Sequence, residues 1–400
     1  MGGDLRPGTP YPGEGQSMIP MTEWALASLT GSRTGESVRV TARVGSVVVD
    51  VTEVGGVSTW WLEADASRAV QTQGGMTVAD PDGVLTPYLP GDPLAPGGRI
   101  QIAVVMGDGS QVPRATMVIT ESIPMDSWRQ RQGVWQRTGS TVSLSLSDLA
   151  VLLQRDRFQT PWSRAGASAL TEVQRMCAGI VNTITDTTSS AGVPADFVAE
   201  RERLDAIDDL LHHAGLDRRL DGAGVLHILD PTRSRIPVWE VSGGDGQALV
   251  EVSRSMSLVD VVNAVVATSS ATGGANHTEL VGRAYLEDGV ERWDGPLGNC
   301  TEFYASPLIT TQEQAQKAAR TRLDNLTTNA TTSVNLTTLP HPGIELHDTV
   351  RVQFPSASRP LTLTGTVTRW RLEADEKGMK PMTMTLTLPR REMLRMKWRW

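Results

Sequence analysis

Hydrophobic and polar positions alternate along most of this chain, and the period of the alternation changes twice. Val38, Val40, Ala42 and Val44 are spaced two apart, as are Ile100, Ile102 and Val104, which is the pattern of strands with one buried face. Val47, Val48 and Val49 form a β-branched run, Trp60 and Trp61 sit in a strand-like stretch, and Val118 and Ile119 lie in a returning strand. Turns divide these stretches. In Asp80-Pro81-Asp82-Gly83 the proline fixes φ and Asp-Gly accepts a positive one; Pro90-Gly91-Asp92 and Pro96-Gly97-Gly98 follow, and Gly107-Asp108-Gly109 reads as a hairpin tip. Short strands punctuated in this way predict an all-β domain, a sandwich or barrel, over residues 36–146.

The period becomes helical over 147–214. Ser147-Asp148 opens Leu149, Val151, Leu152 and Leu153, and Thr171 is expected to cap a helix that turns Val173, Met176, Cys177, Ile180 and Val181 inward. Leu204, Ile207, Leu210 and Leu211 form the stripe of a third helix, which Gly215 ends. A turn into a strand at 220–226 completes a helical and mixed region of 147–252. The β pattern then returns over 253–390, with 258–266 strongly apolar. One helix is embedded at 311–326. Thr310 and Glu313 form its capping box, and Ala315, Ala318, Ala319, Leu323 and Leu326 form its apolar stripe. After it Val334 and Leu336, then Val350, Val352 and Phe354, then Leu361, Leu363 and Val367 alternate with polar residues. Met382, Met384, Leu386 and Leu388 close the series, with Thr383, Thr385 and Thr387 on the other face.

At 400 residues the chain is too long for one core, so two to four domains are expected. Residues 1–35, rich in Gly, Pro, Ser and Thr, read as an extended arm that orders on a partner, or as a plain disordered tail. The net charge of −8 argues against a nucleic-acid binder by overall charge. No apolar run approaches the roughly 20 residues that span a bilayer, and the N-terminus lacks a signal pattern, so no membrane anchor is expected. Two cysteines, Cys177 and Cys300, make no disulfide framework, and Cys177 is expected as a buried thiol.

The search for chemistry returns little. Asp208 with His212 and Asp209 with His213 have the i, i+4 spacing of a metal clamp, but no third or fourth ligand follows at a telling distance, and a solvated helix end explains them better. Asp80 and Asp82 lack the calcium loop that would continue them, the glycines at 31 and 35 lack the Gly-Lys-Ser/Thr of a phosphate loop, and His341 stands between two prolines with no nucleophile in local sequence. No catalytic, cofactor or metal residue is assigned. The one basic cluster is C-terminal (391–400), where Arg395, Lys397, Trp398, Arg399 and Trp400 form a candidate interface; the alternative is a last segment packed on its own domain.

Taken in order, several short motifs resemble the tail hub or minor tail proteins of tailed bacteriophages, the group related to baseplate hubs and late-control proteins. They are Asp80-Pro81-Asp82-Gly83 with Leu89-Pro90-Gly91-Asp92, Leu210-Leu211-His212-His213-Ala214-Gly215, Val262-Asn263-Ala264-Val265-Val266, Ser306-Pro307-Leu308-Ile309-Thr310 leading into the helix, and Pro342-Gly343-Ile344 leading to Asp348-Thr349-Val350. At the last turn the family shows Gly-Asp where this chain has His347-Asp348, which leaves the turn type open. The resemblance implies an α+β fold with two antiparallel β-barrel (tube-type) domains around the helical middle. It also implies a homotrimeric ring that extends a hexameric tail tube, with a distal tail or tube protein, a tape measure protein and tip or fibre proteins as partners. Genome DNA would pass through the lumen without sequence-specific binding, in a virion assembled in the host cytoplasm. No enzymatic residues carry over. A tail-associated cell-wall hydrolase and a host-surface adhesin are the alternatives.

Overall fold

The computed structural model describes residues 18–29, 36–166, 168–193, 197–231, 236–244, 247–254, 261–269, 280–306, 309–328, 331–354 and 361–390. The chain divides into two compact units, residues 1–252 with 335–386, and residues 253–334 with 387–400.

The first unit opens with α1 (Glu23–Ser28), whose cap Thr22 accepts the Ala25 N–H at 3.1 Å and donates its hydroxyl proton to Asp108 at 2.7 Å. Strands β1 (Ser37–Val44), β2 (Val47–Asp50), β3 (Val57–Asp65), β4 (Thr72–Asp80), β5 (Arg99–Val105), β6 (Gln111–Arg131) and β7 (Val134–Asp148) follow, with the single-turn α2 (Val51–Val54) after β2. The alternation read in β1 is the burial observed, with Val40 and Ala42 inside. The valine run at 47–49 behaves otherwise: Val47 and Val48 are exposed on an end strand that, among the described residues, pairs only with β1.

A mixed layer succeeds the strands. It holds α3 (Ala150–Arg155), β8 (Trp162–Ser163), α4 (Ala169–Cys177), β9 (Thr183–Thr185), β10 (Val198–Ala199), α5 (Arg203–His213), β11 (Asp217–Leu220) and β12 (Leu226–Leu229). Its core contains Leu153, Val173, Met176, Cys177, Ile207 and Leu210, so the helical stripes face inward as expected. Thr171 lies inside α4 rather than capping it; Ser168 precedes the first turn. Gly215 takes φ +68 beyond α5, the left-handed conformation a helix end asks of this position.

The remaining strands are β13 (Trp239–Ser242), β14 (Leu249–Arg254), β15 (Ala264–Ser269), β16 (Val281–Tyr285), β17 (Thr301–Ser306), β18 (Thr331–Thr338), β19 (Thr349–Phe354), β20 (Leu361–Asp375), β21 (Gly378–Met379) and β22 (Met382–Pro389), with α6 (Gln312–Thr328) between β17 and β18. The fold is α+β, but the expectation of two barrels is overturned. Strands from both expected barrels join one large sheet in the order β14-β18-β22-β20-β3-β4-β7-β6-β5-β1-β2, and among the described residues its end strands do not pair to close it. The reason lies in β20. Its first half pairs β19 from Leu361↔Phe354 to Thr366↔Thr349, and its second half pairs β3 from Arg369↔Asp65 to Ala374↔Trp60. Alternation specifies which face of a strand is buried and says nothing about which strand lies beside it.

In the second unit, β15 is the middle of a three-stranded sheet, antiparallel to β16 and parallel to β17. The expected helix packs on this sheet through Ala315, Ala319 and Leu323 against Val265, Ala267 and Ala284. Its cap is the expected box moved by one residue: the Thr311 hydroxyl accepts the Gln314 N–H at 3.2 Å, and the Gln314 amide oxygen accepts the N–H groups of Thr310 (2.8 Å) and Thr311 (3.1 Å).

Candidate interaction site

β6 and β7 outgrow the sheet. β5 covers β6 only as far as Val118, and β4 covers β7 only from Ser140 onward. Among the described residues, the two strands pair with each other alone over Glu121–Arg131 and 134–139, and the Gln132-Gly133 turn that joins them has positive φ at both positions (+51 and +79). That is the two-residue turn whose twist suits a hairpin. The result is a projecting finger with polar backbone edges open on both sides.

The finger is braced at its root. The Asp80 carboxylate accepts the N–H groups of Val84 (2.9 Å), Leu85 (3.1 Å) and Thr86 (2.8 Å) and the Thr86 hydroxyl proton (2.6 Å), closing the turn that begins at Pro81. Burial on its own raises this carboxyl, but the Thr86 hydroxyl and the three N–H groups outweigh it and hold Asp80 below the usual range. Arg137 of β7 donates to the Thr86 hydroxyl at 2.9 Å and forms an ion pair with Asp126 of β6 at 2.9 Å.

Beyond this root the finger carries apolar side chains into solvent. Ile123, Met125, Trp128, Val134 and Trp135 are each 50–63% exposed. Strand alternation and the register place Ile123, Met125, Arg129, Arg131 and Val134 on one face and Trp128 and Trp135 on the other. The exposed residues of the turn loop, Val84, Tyr88 and Leu89, add to the apolar surface of this unit. No reacting group stands among them; the arrangement is a contact surface rather than a pocket.

The solved structures that share this architecture are informative. The tail protein from Neisseria meningitidis MC58 is 13% identical, with a TM-score of 0.57 over 88% of this chain and 97% of its own. The 43 kDa tail protein of prophage MuSo2 from Shewanella oneidensis is 11% identical, with a TM-score of 0.58 over 88% of this chain and 99% of its own. This chain has the fold of tail proteins. A chain of the half-lidded Francisella PdpA-VgrG complex is also similar, at 9% identity and a TM-score of 0.52, with 58% of its length covered. No protein-family model and no curated protein matches the sequence.

Within this tail-protein fold the sequence candidates fall as follows. Asp208 does not meet His212. It holds Arg218 of β11 through two hydrogen bonds of 2.6 and 2.9 Å, and His212 and His213 are exposed at the end of α5. The calcium reading of Asp80 is displaced by the backbone N–H groups that fill its carboxylate. Among the described residues no group of three or more His, Cys, Asp and Glu side chains could hold a metal ion, and no helix is long and apolar enough to cross a membrane. His341 is buried, accepts the Gly343 N–H at 3.1 Å and lies edge-on to Trp239. Cys177 is buried, and burial pushes its thiol up to about 11, which makes it unreactive. Arg395, Lys397, Trp398, Arg399 and Trp400 lie outside the described residues. The hairpin was not read from sequence, although the Gln132-Gly133 turn between two β-rich stretches is a signal that could have found it.

Sequence reasoning also missed a buried charge network that ties β11 to the sheet. Arg219 pairs with Glu345, and Arg114 stacks 3.7 Å over Trp370 while donating to the Pro342 carbonyl at 3.2 Å. Burial pulls Arg114 down to about 10 and pushes Glu345 up to about 7, the latter despite Arg219 and with Asp348 adding to the rise. His347, at the turn where the resemblance implies glycine, takes φ +68 and donates its N–H to the Val367 carbonyl at 2.8 Å, so it adopts the conformation glycine would. A separate relay lies in the mixed layer, where His227 contacts Asp186 at 2.6 Å and Asp221 at 3.0 Å. The Asp221 hydrogen bond, against partial burial, raises the His227 pKa. A raised histidine stabilises the fold below its unfolded pKa of about 6.5 and loses that contribution as pH climbs through the folded value. Thermal unfolding of wild type and His227→Gln at several pH values should therefore show a gap in Tm that is widest in mild acid and narrows on the alkaline side of neutrality.

Proposed function

We propose that this chain is a structural hub of a phage tail tip or baseplate, three copies of which form a ring that extends the hexameric tail tube and connects it to tip proteins. The observation that carries the reading is the likeness of fold over nearly the whole length of two tail proteins. The projecting hairpin supports it, since a finger with open backbone edges and exposed apolar side chains is built for a neighbour. In this reading the neighbours are a distal tail or tube protein, a tape measure protein, and tip or fibre proteins, and the chain resides in the virion after assembly in the host cytoplasm. Arg395, Lys397, Trp398, Arg399 and Trp400 serve docking to one of them. DNA passes through the ring, and a net charge of −8 suits a wall that must not hold it. Electron microscopy of particles assembled without this chain tests the proposal. Tails that stall or lack a tip are expected; complete tails would overturn it. Zymography on peptidoglycan separates the hydrolase alternative, which requires clearing by the pure protein.

A further inference from the structure

The hairpin and one other surface of the first unit are complementary, and they lie far apart. Ile123, Met125 and Val134, all at least half exposed, leave apolar surface in solvent on the face of the finger that carries Arg129 and Arg131, and Trp128 and Trp135 do the same on the other face. The finger is also basic at its tip, where Arg129 and Arg131 are exposed beside Val134, while the chain as a whole is acidic at −8. In the mixed layer a surface groove of about 490 Å³ runs along β10 and the start of α5. Its walls hold Phe197, the exposed Val198, and the carboxylates of Glu200, Glu202, Asp205 and Asp209, against Arg201 as the cation. Glu202 is paired with Arg157 at 3.1 Å, which leaves Glu200, Asp205 and Asp209 facing solvent. The groove therefore offers what the tip lacks, negative charge beside apolar surface.

The two cannot meet within one chain. β7 runs from Val134 at the tip to Asp148 at the mixed layer, about 45 Å at roughly 3.3 Å per residue, and α3 and α5 share a core at the Asp148 end. Between copies they can meet head to tail, and a heterologous contact of that kind closes into a ring when its rotation allows.

We infer that the hairpin tip of one copy seats in the β10–α5 groove of the next, Arg129 and Arg131 against Glu200, Asp205 and Asp209, with the finger's apolar face on Val198. This rests on the ring reading above and supplies its contact. The test uses the full chain and measures mass in solution by light scattering over a concentration series, with circular dichroism to verify folding. Arg129→Glu with Arg131→Glu should weaken self-association about 10- to 100-fold without shifting the thermal transition of the dissociated chain at low concentration, because both side chains stand in solvent. Asp205→Arg with Asp209→Arg should do the same, and a chain carrying all four reversals should associate again, because every tip-to-groove contact of a three-copy ring is then matched. An oligomer that ignores both reversals overturns the contact and leaves the ring standing. Reversals that dissociate the oligomer without recovery in the fourfold variant overturn the pairing of these two surfaces. A chain that stays monomeric when concentrated removes the contact and counts against self-assembly as well.

Discussion

Arg218→Met is expected to destabilise the first unit by about 3–5 kcal/mol, the range for breaking one side of a buried ion pair. Arg218 is buried on β11, and its guanidinium grips both oxygens of Asp208 while donating to the Ala69 carbonyl at 2.7 Å. Burial works against the charge, but the Asp208 hydrogen bond, with Asp148 and Asp217 nearby, more than offsets this and raises the Arg218 pKa. Methionine keeps most of the apolar stem, so the loss falls on the charges left behind. Asp148 should report it. Burial already pushes Asp148 up to about 6, against the hydrogen bond from the Thr72 N–H and the Arg218 charge. An acid whose folded pKa lies above its unfolded value is protonated first in the folded state, so its contribution to stability declines as pH rises from about 3.8 to about 6. Without Arg218 that decline extends to higher pH. Urea unfolding at about pH 5 and about pH 8 should show the variant's deficit growing with pH. A deficit under 1 kcal/mol at both would mean that Asp208 and Asp148 find other partners.

The interactions of Arg218 with Asp208 and Asp148 could not be found from sequence, and the reason is general to this fold. Local pattern carries information about faces. Met382, Met384, Leu386 and Leu388 were legible as the buried side of one strand, and Leu204, Ile207, Leu210 and Leu211 as the buried side of one helix. Both follow from the period of a single element. Arg218 is brought beside Asp208 across a helix–strand turn, and Arg219 beside Glu345 across 126 residues, contacts that only the assembled fold defines. The same limit explains the failed barrels, because the register of β20 against β3 joins segments more than 300 residues apart. The hairpin was missed for the opposite reason. Ile123, Met125, Trp128 and Trp135 look like core residues by composition, and the expectation that apolar means buried hides a strand whose apolar side chains stand in solvent. His347 shows a third case, a turn whose backbone conformation survives although the residue that would adopt it most easily is absent.

Gly282→Ala should have a still more localised effect, confined to the second unit. A Cβ at Gly282 would lie 2.1 Å from the Ala315 carbonyl oxygen, 2.2 Å from its carbon and 2.5 Å from the Gln316 nitrogen, all of them backbone atoms of α6. No side chain can rotate away to relieve such contacts, so the helix must lift from β16. Lifting breaks more than packing. Gln316 donates to the Arg283 carbonyl at 2.6 Å and accepts the Arg283 N–H at 3.2 Å, and Gln312 donates to the Val281 carbonyl at 2.7 Å, so two glutamines occupy the backbone groups of an edge strand. Ala315 and Ala319, both fully buried, are small enough to permit this approach and would be uncovered with it. Overpacking of this kind together with lost hydrogen bonds costs about 2–4 kcal/mol. Hydrogen exchange should then show loss of protection across α6 and β16 while β3, β4 and β7 keep theirs. Gln316→Ala removes two of the three hydrogen bonds without the clash and should cost only about 1 kcal/mol. If both variants cost the same, the glutamine bridge rather than the glycine's close approach holds the helix on the sheet.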